Sequence, residues 1–167
     1  MEKIITKEQI ADRVQELAQQ ISIDHMQSSN SLPPVMICVL NGALHFFSDL
    51  TRMMSIHCEI DCIRLKSYEG RDNSGGVTIT KDIELDLQGK RVYIVDDILD
   101  TGATMMEALH MVNSRCAADV KVVTLLKRKS SPMITDFYAF EIEDQWVVGY
   151  GLDDNGIKRE LLDIYEK

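Results

Sequence analysis

The side chains best suited to chemistry stand together in residues 91–104, which read RVYIVDDILDTGAT. Asp96 and Asp97 follow directly after four apolar residues, and Asp100 adds a third carboxylate three positions later. Adjacent carboxylates repel each other and resist burial, which argues against a role in packing alone. Carboxylate oxygens are suited to binding sugar hydroxyls or Mg²⁺. These three aspartates are therefore candidate site residues.

The residues that follow Asp100 have the composition of an anion site. Thr101 and Thr104 supply hydroxyl donors on either side of Ala103, and Gly102 lets the backbone approach a phosphate closely. A strand, a turn of small residues and a helix N-terminus direct free N–H groups and the helix dipole at one point. Phosphate donors beside carboxylates predict a site for a phosphorylated sugar. The motif disfavours a plain solvated turn, and it is neither a Walker A loop nor a dinucleotide fingerprint.

Buried strands followed by helices must position these residues. The apolar run at 92–95 and the run VMICVL at 35–40 each suit a strand covered on both faces, and each is followed by a helical pattern. Further strands are predicted at 56–65, 120–126, 137–142 and 146–148, and short hairpin strands or strand-like connections at 77–80 and 83–87. An amphipathic helix begins with a capping box at Thr6. This alternation predicts one α/β domain over residues 1–167, with a mainly parallel central sheet flanked by helices. The site is expected at the carboxyl ends of the strands.

Composition narrows the function classes. The chain has 167 residues and a net charge of −9 without a basic run, which disfavours nucleic-acid binding as the main function. No apolar run is long enough to span a bilayer, and the first residues are too polar for a signal peptide. The four cysteines are scattered among apolar residues and are interpreted as reduced core thiols, so we expect a cytoplasmic protein.

Two segments remain open from the residues alone. Residues 66–76 are polar, rich in glycine and long for a hairpin, so a lid over a site and a disordered hairpin tip are equally plausible. The basic triplet at 127–129 follows a buried strand and could bind a carbonyl oxygen or a phosphate. A solvated basic turn is the favoured reading of that triplet when nothing else is considered.

The motif in residues 92–104 resembles the signature of the type I phosphoribosyltransferases, which bind 5-phosphoribosyl 1-diphosphate. Its spacing D-I-L-D-T-G is most similar to the hypoxanthine-guanine branch. The resemblance covers nearly the whole chain, in four separated motifs in the expected order. It implies the fold of that family, with a small hood formed by the terminal segments. It also implies purine salvage, in which the phosphoribosyl group passes to hypoxanthine or guanine with Mg²⁺ as cofactor, and a homodimer or homotetramer.

The resemblance also implies roles on the sugar side of the site. Asp100 is the candidate general base, Asp96 and Asp97 hold the ribose hydroxyls or the metal, and residues 100–104 hold the 5′-phosphate. Leu40-Asn41-Gly42 matches a turn that binds pyrophosphate and has a cis peptide bond before its second residue; Arg159 matches a second pyrophosphate contact. Some relatives have a lysine at Asn41 and a basic residue at Ala103, so here phosphate binding relies on N–H and hydroxyl groups.

On the base side, the resemblance implies four further contacts. A lysine that binds the purine 6-oxo group matches Arg128 by strict counting, with Lys127 as its neighbour. Trp146 matches an aromatic ring over the purine, the Val147 backbone reads the base edge, and Asp153 lies near the base and a second Mg²⁺. Ser67 and Tyr68 match the pair in a mobile lid, which would protect a ribosyl cation-like species from water.

Three other functions share some of these sequence features. A phosphorelay receiver domain also has paired aspartates, but near its start and without the cradle at 101–104. A regulator of the same fold that binds nucleotide or RNA should have a basic face, which a pI of about 4.9 disfavours. A phosphoribosyltransferase for another base, such as xanthine or adenine, is the third. The cations at 127–129 favour a 6-oxo purine over adenine, because a cation accepts no hydrogen bond from an amino group.

Overall fold

The computed structural model describes residues 1–68 and 76–167. Within these residues the chain forms three helices and nine strands. They are, in order, β1 (Glu2–Ile5), α1 (Lys7–Gln27), β2 (Val35–Leu40), α2 (Leu44–Met53), β3 (Glu59–Tyr68), β4 (Gly76–Lys81), β5 (Arg91–Leu99), α3 (Ala103–Asn113), β6 (Asp119–Arg128), β7 (Phe137–Ile142), β8 (Val147–Val148) and β9 (Ile164–Glu166).

Six strands form the central sheet in the order β4-β3-β2-β5-β6-β7. Strands β3, β2, β5, β6 and β7 are parallel, and only β4 at one edge is antiparallel. From β2 the chain crosses through α2 to β3 on one side, whereas from β5 it crosses through α3 to β6 on the other. The carboxyl ends of β2 and β5 are thus a topological switch point, where open α/β sheets bind ligands. The predicted mainly parallel α/β fold is confirmed.

Alternating side chains give the sheet two apolar faces. On one face Met36, Cys38, Tyr93 and Val95 belong to a core that includes α1 and α2. On the other face Val35, Ile37, Val39 and Ile94 belong to a core that includes α3. Burial on both faces explains why β2 and the first part of β5 are continuous apolar runs. It also sets where, along each strand, the polar residues at the carboxyl end become accessible.

A second sheet of three strands, ordered β1-β9-β8, joins the two ends of the chain. Asp163 fastens it to the start of α1, because its Oδ1 accepts from the Lys7 N–H at 2.7 Å and its Oδ2 pairs with Lys3 at 2.7 Å. The hood implied by the resemblance corresponds to this sheet. Strands β1 and β9 are too short and too polar to have been predicted from periodicity.

Two local predictions had opposite outcomes. The capping box at Thr6 is confirmed, since Gln9 N–H donates to Thr6 Oγ1 and Thr6 N–H donates to Gln9 Oε1. Of the two possibilities for 83–87, a short hairpin strand or a strand-like connection, the strand is wrong, because this segment is irregular. The N–H groups of Glu84 and Leu85 donate to Oδ2 of Asp61 at 2.7 and 3.1 Å, which replaces the partners that a strand would offer. No helix within residues 1–68 and 76–167 is long and apolar enough to cross a bilayer.

Candidate active site

The turn after β2 lies directly against the acidic pair of β5. The peptide bond between Leu40 and Asn41 is cis, as the resemblance implied. Gly42 has no space for a side chain, since a Cβ atom there would lie 1.6 Å from Oδ2 and 2.5 Å from Cγ of Asp97. Glycine at this position therefore lets the turn and the carboxylate occupy the same corner of the site.

Asp96 and Asp97 are the last polar pair on β5 and are held by backbone N–H groups. The Asp97 N–H donates to Asp96 Oδ1 at 2.9 Å, and the Ile98 N–H donates to Asp97 Oδ1 at 2.8 Å. Asp96 is only 7% exposed, and Asp97 is half-buried. Burial, and then the neighbouring Asp97 charge, raise the pKa of Asp96 well above its usual range; burial also raises the pKa of Asp97. Two carboxylates in this position favour a bound cation.

The cradle begins where β5 ends and α3 starts. Gly102 precedes the helix with a φ of 85°, a left-handed conformation that glycine adopts without strain. Its carbonyl accepts the first helical bond, from Met106 N–H at 2.8 Å, and Thr101 Oγ1 lies 3.5 Å from Ala103 N. Because the first N–H groups of a helix have no partner within it, the start of α3 presents donors to an anion.

These elements enclose a cavity of about 370 Å³. Its walls include the turn after β2, the acidic pair and the cradle, together with two residues from the segment before β9. The predicted site residues that line it are Leu40, Gly42, Asp96, Asp97, Asp100, Thr101, Gly102, Ala103, Thr104, Asp153 and Arg159. Arg159 Nη2 lies 2.7 Å from Asp153 Oδ1, and Nη1 donates to the Gly151 carbonyl at 2.5 Å.

A second cavity of about 190 Å³ adjoins the first. It is lined by Asp97, Ile98, Asp100, Arg128, Trp146, Val147, Leu152 and Asp153. Four of these residues, Asp97, Ile98, Asp100 and Asp153, also line the first cavity, so the two spaces share a wall. Trp146 is 60% exposed and is one of the residues that line this space.

The structure shows which of the neighbouring cations Lys127 and Arg128 faces the site, which the sequence alone could not show. Adjacent residues of a strand point to opposite faces. Arg128 lines the second cavity and its Nε lies 3.4 Å from Asp100 Oδ1. Lys127 lies outside both cavities, with its ammonium 3.8 Å from Glu141 and 5.2 Å from the centre of the Tyr138 ring.

The remaining predicted site residues are Asn41, Ser67 and Tyr68. Asn41 is exposed and does not line either cavity. Ser67 and Tyr68 form the end of β3, where their backbones pair with Val77 and Gly76. The rest of the predicted lid, residues 69–75, lies outside the described residues.

Several lining residues were missed from the sequence. Val39, Leu65 and Met105 line the first cavity, and Leu152 lines the second. Each is an ordinary apolar residue of a strand, helix or turn, so its type gives no signal of a role at the site. Leu152 could have been found from its position directly before Asp153, because the turn that brings Asp153 to the cavity also brings its neighbour close.

Comparison with known proteins identifies the family. Residues 2–155 match the model of the phosphoribosyl transferase domain. The chain is 34% identical to a hypoxanthine-guanine-xanthine phosphoribosyltransferase of Tritrichomonas foetus, over 96% of this chain and 88% of that protein. It is 35% identical to a hypoxanthine-guanine phosphoribosyltransferase of Bacillus subtilis, over 90% and 83%.

A solved structure agrees with the sequence relatives. The hypoxanthine phosphoribosyltransferase of Trypanosoma cruzi, in complex with the product IMP, superposes with a TM-score of 0.90 at 31% identity, covering 99% of this chain and 93% of that one. The family resemblance and the fold that it implies are therefore confirmed. The chain belongs to the phosphoribosyltransferases, in the group of hypoxanthine-guanine enzymes.

Proposed function

We propose that the protein transfers the 5-phosphoribosyl group from 5-phosphoribosyl 1-diphosphate to hypoxanthine or guanine, giving IMP or GMP and pyrophosphate. One observation supports this most strongly: a cavity with anion donors and a cavity beside an aromatic ring and a guanidinium share the wall that contains Asp100. A sugar phosphate in the first and a base in the second would meet at that wall.

On the donor side, the chain offers separate groups for each phosphate. The cradle at 101–104 suits the 5′-phosphate, because helix N–H groups and threonine hydroxyls converge there. The turn at Gly42 and the guanidinium of Arg159 suit the diphosphate. Asn41 and Ala103 carry no charge, and among the described residues that line the first cavity Arg159 is the cation. The acidic pair suits the ribose hydroxyls, directly or through a metal.

The donor set fits Mg²⁺, which prefers carboxylate oxygens, water and substrate phosphates. Asp96 and Asp97 would hold one ion and Asp153 a second. Within residues 1–68 and 76–167 no group of three His, Cys, Asp or Glu side chains could hold a metal ion together. The remaining ligands would therefore come from the diphosphate and water, which makes metal binding depend on the donor. Bound Mg²⁺ would neutralise the charge that develops on pyrophosphate as it leaves.

On the base side, the purine would lie against Trp146, with Arg128 near its 6-position. A guanidinium has only N–H donors, so it can bind a 6-oxo group and cannot accept from a 6-amino group. In the reaction, the bond from ribose C1 to the diphosphate oxygen breaks and the bond from C1 to purine N9 forms. The proton released from the purine imidazole passes to a carboxylate of Asp100, which lines both cavities.

We extend the proposal to a lid and to assembly. Ser67 and Tyr68 are the last residues of β3, at the carboxyl end of the parallel strands, where the cavities lie. This position supports a lid that begins here and closes over the reacting groups. Leu44, Met53 and Ile60 are large apolar side chains that are 50%, 41% and 59% exposed, which supports a homodimer or homotetramer. All four cysteines are free thiols, as in a protein that works in the cytoplasm.

Initial rates with four bases test the proposed function. The protein is incubated with 5-phosphoribosyl 1-diphosphate, Mg²⁺ and hypoxanthine, guanine, xanthine or adenine, and nucleotide formation is followed. Turnover of hypoxanthine or guanine with none of adenine is expected. Donor binding without turnover of any base would instead favour a nucleotide-binding regulator of the same fold, and turnover of xanthine alone would move the assignment to that base.

A further inference from the structure

Arg128 connects the two halves of the reaction site through a single guanidinium. Its Nε lies 3.4 Å from Asp100 Oδ1, and its Nη1 donates to the main-chain carbonyls of Glu143 and Gln145 at 3.0 and 2.9 Å. The Arg128 side chain is only 12% exposed. Glu143 and Gln145 belong to the loop that leads directly into Trp146, so one side chain contacts both the Asp100 carboxylate and the loop that precedes Trp146.

The neighbours of Arg128 contact the same loop in a weaker way. Lys129 pairs with the Glu143 side chain, and Ser130 Oγ donates to the Asp144 side chain. The Lys129 and Glu143 side chains are 53% and 67% exposed, and exposed pairs of this kind contribute little. Charge-assisted bonds from a buried guanidinium are stronger, because water competes less for them. Arg128 is therefore the main connection between the end of β6 and this loop.

A lysine could not replace this arrangement. An ammonium is a single point of charge on a flexible stem, whereas a guanidinium has donors fixed in one plane. Only the planar group can contact Asp100 through one nitrogen and two carbonyls through another. With Nε and Nη1 engaged in this way, Nη2 is the nitrogen left to meet a base.

We propose that Arg128 is a positioning residue that fixes Asp100 and the Trp146 ring relative to each other, in addition to any contact with the base. The inference rests on the proposed phosphoribosyl transfer and deepens it. Purine binding and proton transfer are then coupled through the protein. The same guanidinium positions the loop before Trp146, on which the base would stack, and the Asp100 carboxylate, which would take the proton from the imidazole ring of the base. A loop free to shift would weaken both steps together.

Arg128→Lys tests this coupling, since it keeps the charge and removes the fixed geometry. Each charge-assisted hydrogen bond to the carbonyls of Glu143 and Gln145 supports a change of about tenfold, so the KM for hypoxanthine should rise by about tenfold or more. The contact with Asp100 is an ion pair at 3.4 Å to a carboxylate that is 62% exposed, so kcat should fall by a smaller factor, about threefold. The KM for the donor should stay within about threefold, because the cradle and Arg159 are untouched.

Trp146 provides a readout that needs no substrate. It is the only tryptophan, so intrinsic emission reports on this ring alone. In the free protein, Arg128→Lys should shift the emission to longer wavelength and increase quenching by acrylamide. Unchanged emission and unchanged kcat, with only a higher KM for the base, would overturn the positioning role and leave Arg128 as a simple base contact. This arm remains informative even if no base is turned over.

A matched control uses another arginine that donates to main-chain carbonyls. Arg13 donates from Nε to Ala139 O at 2.9 Å and from Nη2 to Tyr138 O at 3.0 Å, and it does not line the two cavities. Arg13→Lys should leave kinetics and Trp146 emission unchanged, and an equal effect there would contradict the proposal. Should Arg128→Lys not fold, Arg128→Gln replaces it. The planar amide of glutamine can keep a bond to a carbonyl but carries no charge. We therefore expect kcat to fall while Trp146 emission stays close to that of the unchanged protein. A shifted emission with an unchanged kcat would overturn the coupling.

Discussion

A single methyl group at Gly42 should disable the site while leaving the fold in place. The Cβ atom of Gly42→Ala would lie 1.6 Å from Asp97 Oδ2 and 3.3 Å from its Cβ. The backbone does not resist the change, since Gly42 is not among the residues with positive φ. The carboxylate must therefore move, and the bond from Ile98 N–H to Asp97 Oδ1 opposes its rotation.

The size of the effect follows from this displacement. Atoms in contact lie about 3.5 Å apart, so the carboxylate has to shift by about 1.5 Å or more. Displacements of about 1 Å in a reaction site can cost about 10²-fold, which corresponds to roughly 2.7 kcal/mol in the barrier. Overpacking costs about 1–3 kcal/mol of folding stability, offset in part by about 0.4–1 kcal/mol from the lower entropy of the unfolded chain. Catalysis should thus suffer more than stability.

The assay is kcat/KM for the donor at saturating hypoxanthine, with thermal unfolding measured in parallel. Gly42→Ala should lower kcat/KM by about 10²-fold. Asp97→Ala serves as the control background, because it removes the atoms that the new methyl group would strike. Adding Gly42→Ala to that variant should cost little more. Activity of Gly42→Ala within threefold of the unchanged protein, or fully additive losses in the double variant, would refute the close contact as the cause.

Three further perturbations have defined outcomes. Burial, and then the charge of Arg91, lower the pKa of His25. As pH drops, His25 therefore takes up a proton in the unfolded chain before it does so in the folded protein, and the free energy of unfolding should fall below about pH 6.5. His25→Gln should reduce this pH dependence in denaturant titrations at pH 5.5 and 7.5. Asp61→Ala should destabilise the protein by about 1–2 kcal/mol in urea unfolding, since the part-buried Leu85 N–H loses its acceptor, whereas water can replace the bond from the exposed Glu84 N–H. A loss below about 0.5 kcal/mol would contradict the importance of these bonds. Chelation by EDTA should abolish turnover and Mg²⁺ should restore it, whereas turnover that persists in EDTA would exclude the metal from the reaction.

The sequence predicted the secondary-structure elements and motifs that depend on residues close together in the chain. Residues 35–40 are a strand because six apolar side chains in a row suit burial on both faces, and β2 has these bounds. The capping box at Thr6 satisfies two backbone donors with its own side chains, so α1 begins where the sequence indicates. The acidic pair and the cradle were found because residues of that type have few other uses at the end of a strand.

What the sequence could not provide depends on distant partners. The segment at 83–87 alternates like a strand, but Asp61, more than twenty positions away, takes its N–H groups. The choice between Lys127 and Arg128 depends on which face of β6 turns toward the site, and periodicity could not fix that register within one residue. Strand β1 pairs with β9, which also pairs with β8, so these short strands depend on partners that are distant in the sequence.

The most direct measurement is kcat for Asp100→Asn with hypoxanthine, with donor binding determined on the same preparation. Asparagine keeps the size of the side chain but cannot take the proton from the purine. General acid–base groups contribute about 10²–10⁴-fold, so kcat should fall by that factor while the Kd for the donor changes little. A loss below about tenfold would contradict the assignment of Asp100 as the group that receives the proton at the shared wall.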